Sequence, residues 1–231
     1  MPELSQEARK ASVGDLLAMT LRTNPEDPRR HTALYASIAL FSPMPGQRGP
    51  RSILAESLDG VDRAQLYPAL QSLLKHEDSV ARSSVRKVFP HLEDRDLVAL
   101  LPDIVKAIER IAPSNEMFGD GIRLAGLDLL SWLHIREGMA LCLAVPEPER
   151  WGEGKRLEPC LDYLTRYGAH AKALLPQLEE LRKRYSALKR GEATKKHLKI
   201  VDDAIAKITA STATPTLVSV ADFQSRPSSR K

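Results

Sequence analysis

Asp128 and Trp132 have the strongest claim to chemistry in this 231-residue chain. They stand four apart, so one turn of helix would set them side by side. A carboxylate half-buried beside an indole is the setting that raises a carboxyl pKa and creates a general acid or base. The plainer reading, an edge carboxylate hydrogen-bonded to the next helix, is preferred. His134 and Glu137 are three apart and can share a face, but zinc wants three or four ligands. The other histidines, His31, His76, His91, His170 and His197, are scattered, and His76 and His91 fall at expected helix ends. Phe118-Gly-Asp-Gly121 and Trp151-Gly-Glu-Gly154 contain paired glycines, yet neither follows a strand, so both read as turns rather than dinucleotide loops. No Gly-x-Ser-x-Gly, phosphate-binding loop or His-Glu-x-x-His occurs. No catalytic, cofactor-binding or metal-ligating residue is therefore assigned, and no cofactor is expected.

A second set of residues concerns binding. Tyr163 and Tyr167 flank Arg166 on one helix, and Arg182, Lys183, Arg184, Lys189, Arg190, Lys195, Lys196 and Lys199 follow. Aromatics interleaved with cations can grip nucleic acid. The preferred reading packs the tyrosines inward and coats the outside with charge. Residues 155–207 hold 13 Lys/Arg against 7 Asp/Glu, a balance of +6 within a chain whose net charge is +4. That third could attract phosphate or an acidic partner. The basic residues alternate with Glu179, Glu180 and Glu192, which fits a solvated helix surface better than one groove.

Cys142 and Cys160 sit among apolar neighbours and read as buried thiols. The first 25 residues lack the basic start and apolar core of a signal peptide. No run reaches the roughly 18 apolar residues of a membrane span. The chain is read as soluble with no membrane span, and its compartment is left open.

The elements that must position these residues are helices. Residues 94–111 show the cleanest pattern: Leu97, Val98, Leu100, Leu101, Ile104, Val105, Ile108 and Ile111 form one apolar arc. Asp96, Asp103, Lys106, Glu109 and Arg110 form the expected wet face. Asp128 falls outside the polar arc of Asp120, Arg123, Ser131 and His134. Ser12, with Asp15 three residues on, reads as the cap of a first helix. Further helices are expected at 30–41, 51–59, 63–76 (capped by Asp62), 79–91 (capped by Asp78), 119–136, 156–167, 170–189 and 194–209. Loops are expected at 42–50 and 145–154, and strand signals are nearly absent. Residues 1–60 read as N-terminal helices with a Pro/Gly loop, 61–209 as a helical repeat region, and 210–231 as a flexible tail without a fixed helix.

Leu66-Tyr-Pro68-Ala-Leu70, Leu101-Pro102-Asp-Ile104 and Leu175-Pro176-Gln-Leu178 share a proline inside an amphipathic segment. The prolines lie 34 and then 74 residues apart, which leaves room for a drifted copy near 138–144. Asp78-x-x-Ala-Arg82-x-x-Val85 also matches Gly119-x-x-Ile-Arg123-x-x-Gly126. These residues resemble HEAT/armadillo-like repeats over 61–190, in which a proline kinks the first helix of each pair and an Asp and an Arg mark the turn and second helix. Asp120-Gly-Ile-Arg-Leu-Ala-Gly126 and Tyr167-Gly-Ala-His-Ala-Lys-Ala-Leu-Leu-Pro-Gln-Leu178 also resemble, more weakly, the C-terminal helical region of large bacterial proteins that join helical repeats to other domains, such as a PDZ-like module. The resemblance implies an all-α, right-handed stack of antiparallel helix pairs, an α-solenoid. It also implies a non-catalytic scaffold for a protein partner, as part of a larger protein. The second reading is a nucleic-acid binder: small bacterial alkylpurine DNA glycosylases are similar in architecture, and Asp128 and Trp132 would then be the nearest candidates for their acid and aromatic.

Overall fold

A computed structural model describes residues 6–22, 31–41, 54, 58–111 and 121–225. Among these residues the chain is all-helical: α1 (Gln6–Thr20), α2 (His31–Phe41), α3 (Arg63–Lys75), α4 (Ser79–Ser84), α5 (Asp94–Glu109), α6 (Gly121–Trp132), α7 (Arg136–Ala144), α8 (Glu153–Thr165), α9 (Leu175–Ala187), α10 (Glu192–Ala210) and α11 (Val220–Gln224). Three 3₁₀ segments join them, and extended pairing among the described residues is one isolated bridge between Ile135 and Val218. No described helix is long and apolar enough to cross a membrane. Apart from Leu54 and residues 58–60, the helix expected at 51–59 lies outside the described residues, as do the loop at 42–50, the turn around Gly119 and Asp120, and residues 226–231.

The chain divides into two compact units, one ending at Ala107 and one running Ile108–Ser225. This division falls inside the expected 61–209 repeat region, near the end of α5.

In the first unit the caps follow the sequence. Asp62 accepts the Ala64 amide and Asp78 accepts the Val80 and Ala81 amides, so each satisfies donors that the first helical turn leaves open. Ser12 does not cap, because α1 begins six residues earlier and Ser12 lies within it. Leu66, Leu70, Leu73, Leu101 and Ile104 are fully buried. Ile111, placed on the apolar arc of α5, is exposed.

The expected wet face of α5 is corrected more deeply. Asp96 is fully buried and Asp103 nearly so. Asp96 accepts Arg63 Nε at 2.8 Å, the Tyr67 hydroxyl at 2.7 Å and the Glu93 amide at 2.9 Å. Gln71 Nε2 donates to the Ala99 carbonyl at 3.2 Å, and Lys75 pairs with Asp103 at 3.1 Å. Residue numbers rise together along this seam, so α3 and α5 run in the same direction with a polar ladder between them. Periodicity gives a helix one dry side and one wet side, but α3 covers the Asp96–Asp103 part of the polar arc, while Lys106, Glu109 and Arg110 are exposed as expected. Burial pushes the Asp96 carboxyl up, but Arg63, the Glu93 amide and Tyr67 outweigh it and hold it below the usual carboxylate range. Burial, with the bond to Asp96 second, pushes the Tyr67 hydroxyl up to about 12.

In the second unit, α6, α7 and α8 pack on one another, and α10 packs on α8 and α9. Gly138 in α7 is required by a close approach: a Cβ there would run into the Tyr167 hydroxyl and stand 2.9 Å from Leu130 Cβ. That hydroxyl donates to the Ile135 carbonyl at 3.0 Å. Pro68, Pro102 and Pro159 lie inside α3, α5 and α8, whereas Pro176 sits in the first turn of α9, where a missing amide costs nothing. The helix expected at 170–189 is thus a 3₁₀ segment, Gly168–Leu174, followed by α9.

The expected loose tail is also corrected over its described part, up to Ser225. Val218 bridges the α6–α7 turn, donating to the His134 carbonyl and accepting the Arg136 amide. Ser219 and Asp222 form a reciprocal capping box for α11, and Phe223 is buried. Ala213 accepts the Ala169 amide beside Gly168, whose φ of 61° and crowding by the Ala213 carbonyl suit only glycine.

Asp96→Ala should cost about 2–3 kcal/mol in urea unfolding, because it removes the one acceptor shared by the partly buried Arg63, Tyr67 and Glu93 donors. Asp103→Ala, whose lysine partner is mostly exposed, should cost at most about 1 kcal/mol. The Asp96 contribution should be complete above the unfolded carboxyl pKa of about 4 and fade as pH falls below it. Equal costs for the two variants would show that Asp96 is not the buried member.

Candidate interaction face

Arg166, at the C-terminal end of α8, organises the main cluster of the second unit. Its Nη1 donates to Asp128 Oδ1 at 2.5 Å and to Ser131 Oγ at 3.0 Å, and its Nη2 reaches Asp162 at 3.4 Å. The guanidinium carbon lies 4.6 Å from the centre of the Trp132 ring and 4.9 Å from that of Tyr163. A cation over two aromatic rings and bonded to two carboxylates is held by quadrupole attraction and by charge-assisted hydrogen bonds. Trp132 is nevertheless 67% exposed. Burial pushes the Tyr163 hydroxyl up to about 12, with the Asp128 charge acting in the same direction.

This geometry assigns several sequence candidates. Asp128 is an edge residue bonded not to α7, the next helix, but to Arg166 just past the end of α8, and its side chain is 44% exposed. The helical wheel misplaced its neighbours: Arg123 and Ser131 of the polar arc are buried, and Trp132 faces solvent. His134 and Glu137 serve the tail. His134 offers its carbonyl to Val218, and Glu137 Oε1 accepts the Val220 amide at 3.0 Å. Tyr167 is fully buried and Tyr163 partly so. Cys142 and Cys160 are buried thiols, and burial pushes that of Cys142 up. His76 caps the end of α3. Among the described residues no three His, Cys, Asp or Glu side chains are placed to share a metal.

Tyr163 and Asp162 also line an open groove of about 420 Å³ formed by α8 and α10. Its floor is Leu161, Ile200 and Ala204, and its rim carries Glu158, Asp162, Asp203 and Lys207. The Trp132–Arg166–Tyr163 stack and this groove therefore form one continuous face. Composition hid it, because Trp132 and Arg166 meet only once α6 and α8 are packed.

The basic third is largely engaged with carboxylates. Arg182 pairs with Asp202 at 2.6 Å, Arg184 with Glu149 at 2.5 Å, and Arg190 with Glu153. Lys195 pairs with Glu192 and Lys199 with Asp203, each at 2.6 Å. The bond to Arg184 holds the Glu149 carboxyl below its ordinary value.

A double-mutant cycle of Trp132→Ala and Arg166→Ala should give a coupling of about 0.5–1 kcal/mol in chemical denaturation, the range for a partly exposed cation–π contact. Additive single costs would show that the ring and the guanidinium do not stabilise one another. Comparison of the chain with protein-family models, curated proteins and solved structures gives no match.

Proposed function

We propose that this chain is a non-catalytic helical-repeat scaffold that binds a protein through the Trp132–Arg166–Tyr163 face. The observation that carries the reading is Trp132 itself. A tryptophan left 67% exposed, yet held against an arginine already fixed by two carboxylates, is a preorganised contact. Trp, Tyr and Arg dominate the energetics of protein interfaces because they bring large contact areas at low entropic cost. Here the hydrogen bonds to Asp128, Ser131 and Asp162 have already restricted the arginine.

The repeat reading is supported by a recurring local device. Among the described residues the buried arginines are Arg82, Arg123 and Arg156, and each stands in the first turn of its helix. Each reaches back to carbonyls that precede that helix: Arg82 to His76 and Glu77, Arg123 to Ile108, Arg156 to Val145, Pro146 and Trp151. The helices before those loops are α3, α5 and α7, and α7 occupies the stretch where the proline spacing left room for a further copy. An antiparallel solenoid built from such pairs is the architecture we propose. Nucleic-acid binding is disfavoured because Arg182, Arg184 and Arg190 hold carboxylates, and phosphate binding needs cations that can release counterions.

A photo-crosslinking amino acid at position 132, introduced into the full chain in its native cells, should trap a discrete protein. The same group at Asp94, on the other unit, should not trap it, and Arg166→Ala should diminish the yield. Identical products from both positions would defeat the assignment of this face. Salt-sensitive, submicromolar retention of duplex or single-stranded DNA, abolished by changing Arg182, Arg184, Arg190 and Lys196 to Gln, would replace the reading with a nucleic-acid one.

A further inference from the structure

Resting on the interaction reading above, we infer that the α8–α10 groove takes a short segment of a partner protein that presents a Lys or Arg beside an aliphatic anchor. Charge complementarity carries the inference. Glu158, Asp162 and Asp203 face a single Lys207 around the groove, so its lining is net acidic in a chain whose net charge is +4. Two of those carboxylates have cationic neighbours, Asp162 on Arg166 and Asp203 on Lys199. Among the described residues, Glu158 is held by no hydrogen bond or ion pair, which leaves its carboxylate for an incoming cation. The floor of Leu161, Ile200 and Ala204 suits an aliphatic side chain, or the stem of a lysine or arginine that carries its charge to the rim. The groove is partly open to solvent, which suits a peptide better than a small ligand, since small-ligand sites bury most of the ligand surface.

The chain already shows that this face accommodates such a group. Arg166 lies against Tyr163, which also lines the groove, and reaches Asp162 on its rim. A guanidinium bedded on aromatic and acidic groups is thus the chemistry of the adjoining surface. A partner arginine or lysine entering the groove would extend that pattern by one more cation.

The test uses the full chain and two probes, the acetylated and amidated pentapeptides Leu-Arg-Leu-Leu-Arg and Leu-Glu-Leu-Leu-Glu, followed by NMR at low ionic strength. The arginine probe should give saturable shifts centred on Tyr163, Ile200 and Ala204, and the glutamate probe none. Glu158→Gln, a change at an exposed position, should weaken the arginine probe about threefold to fivefold, the effect of losing one solvent-exposed charge pair. Added salt should weaken it further. Equal binding of both probes, shifts centred elsewhere, no binding, or indifference to Glu158→Gln would each overturn the inference. Loss of the inference with the position-132 crosslink intact would leave the interaction face standing and remove only the basic partner. Loss of the crosslink with the probe still bound would do the reverse.

Discussion

A helix that ends leaves four carbonyls without partners, and a loop rich in proline and glycine adds more. In this chain buried guanidinium groups meet much of that demand. Arg156 is the fullest case: its nitrogens reach the carbonyls of Val145, Pro146, Glu147, Arg150 and Trp151, so one side chain fixes the loop between α7 and α8. Glu147 bends at φ 43°, a left-handed conformation uncommon for a non-glycine residue, and its carboxylate is shared by Arg123 at 3.1 Å and Arg150 at 3.0 Å. Arg123 in turn binds the Ile108 carbonyl. The planar five-donor fork of arginine allows this; lysine, with a point charge and three donors, would leave several of these carbonyls bare. Removing one such arginine would therefore expose a set of buried acceptors, and the register of α6 against α8 in the second unit depends on this network.

That register places the proposed interaction face. Asp128 and Trp132 are on α6, and Asp162 and Tyr163 are on α8 with Arg166 at its end. The stack exists only if those two helices are held within side-chain reach. Two tight features lock the same region: Gly138, which lets Tyr167 approach α7, and the tail, which ties Val218 to the α6–α7 turn. The tail is structural here because its few apolar residues are placed well. Val218 and Phe223 flank the Ser219–Asp222 capping box at the positions where a hydrophobic staple occurs, and both are buried.

How far the sequence was legible follows from the range of each interaction. The Asp62 and Asp78 caps, the apolar arc of α5 and the buried thiols were readable because local spacing determines them. The Ser219–Asp222 box was readable by the same rule, but the Ser/Thr/Pro composition around it masked the signal. Asp96, Asp103 and Arg123 were misplaced because a helical wheel treats polar as exposed. A polar residue is buried when a partner across the interface compensates it, and neither Arg63, 33 residues from Asp96, nor Glu147, 24 residues from Arg123, belongs to the same helix as its partner. Leu157-Glu-Pro159-Cys-Leu161 repeats the motif of Pro68, yet it falls off the 34-to-37-residue spacing and lies in the helix that carries Arg156. Among the described residues the buried arginines recur at one kind of place, the first turn of the helix that follows α3, α5 or α7, and the prolines do not.

Charge makes the same point at the surface. A balance of +6 over residues 155–207 suggests a phosphate-binding flank if each cation is counted alone. The fold instead sets Arg184 on Glu149 and Arg190 on Glu153, carboxylates that lie 35 and 37 residues earlier in the chain. Each exposed pair contributes little to stability, on the order of 1 kcal/mol or less. Their larger consequence is for recognition, since a phosphate would have to compete with a carboxylate already in place. The lining of the α8–α10 groove carries three carboxylates and one lysine, and with Asp162 paired to Arg166 and Asp203 to Lys199, Glu158 is, among the described residues, the carboxylate left without a cation. Under the proposed reading, electrostatics on this unit disfavour a polyanion at the basic helices and leave the Glu158 carboxylate of the groove for a cation, near Trp132, whose exposed ring lies against Arg166.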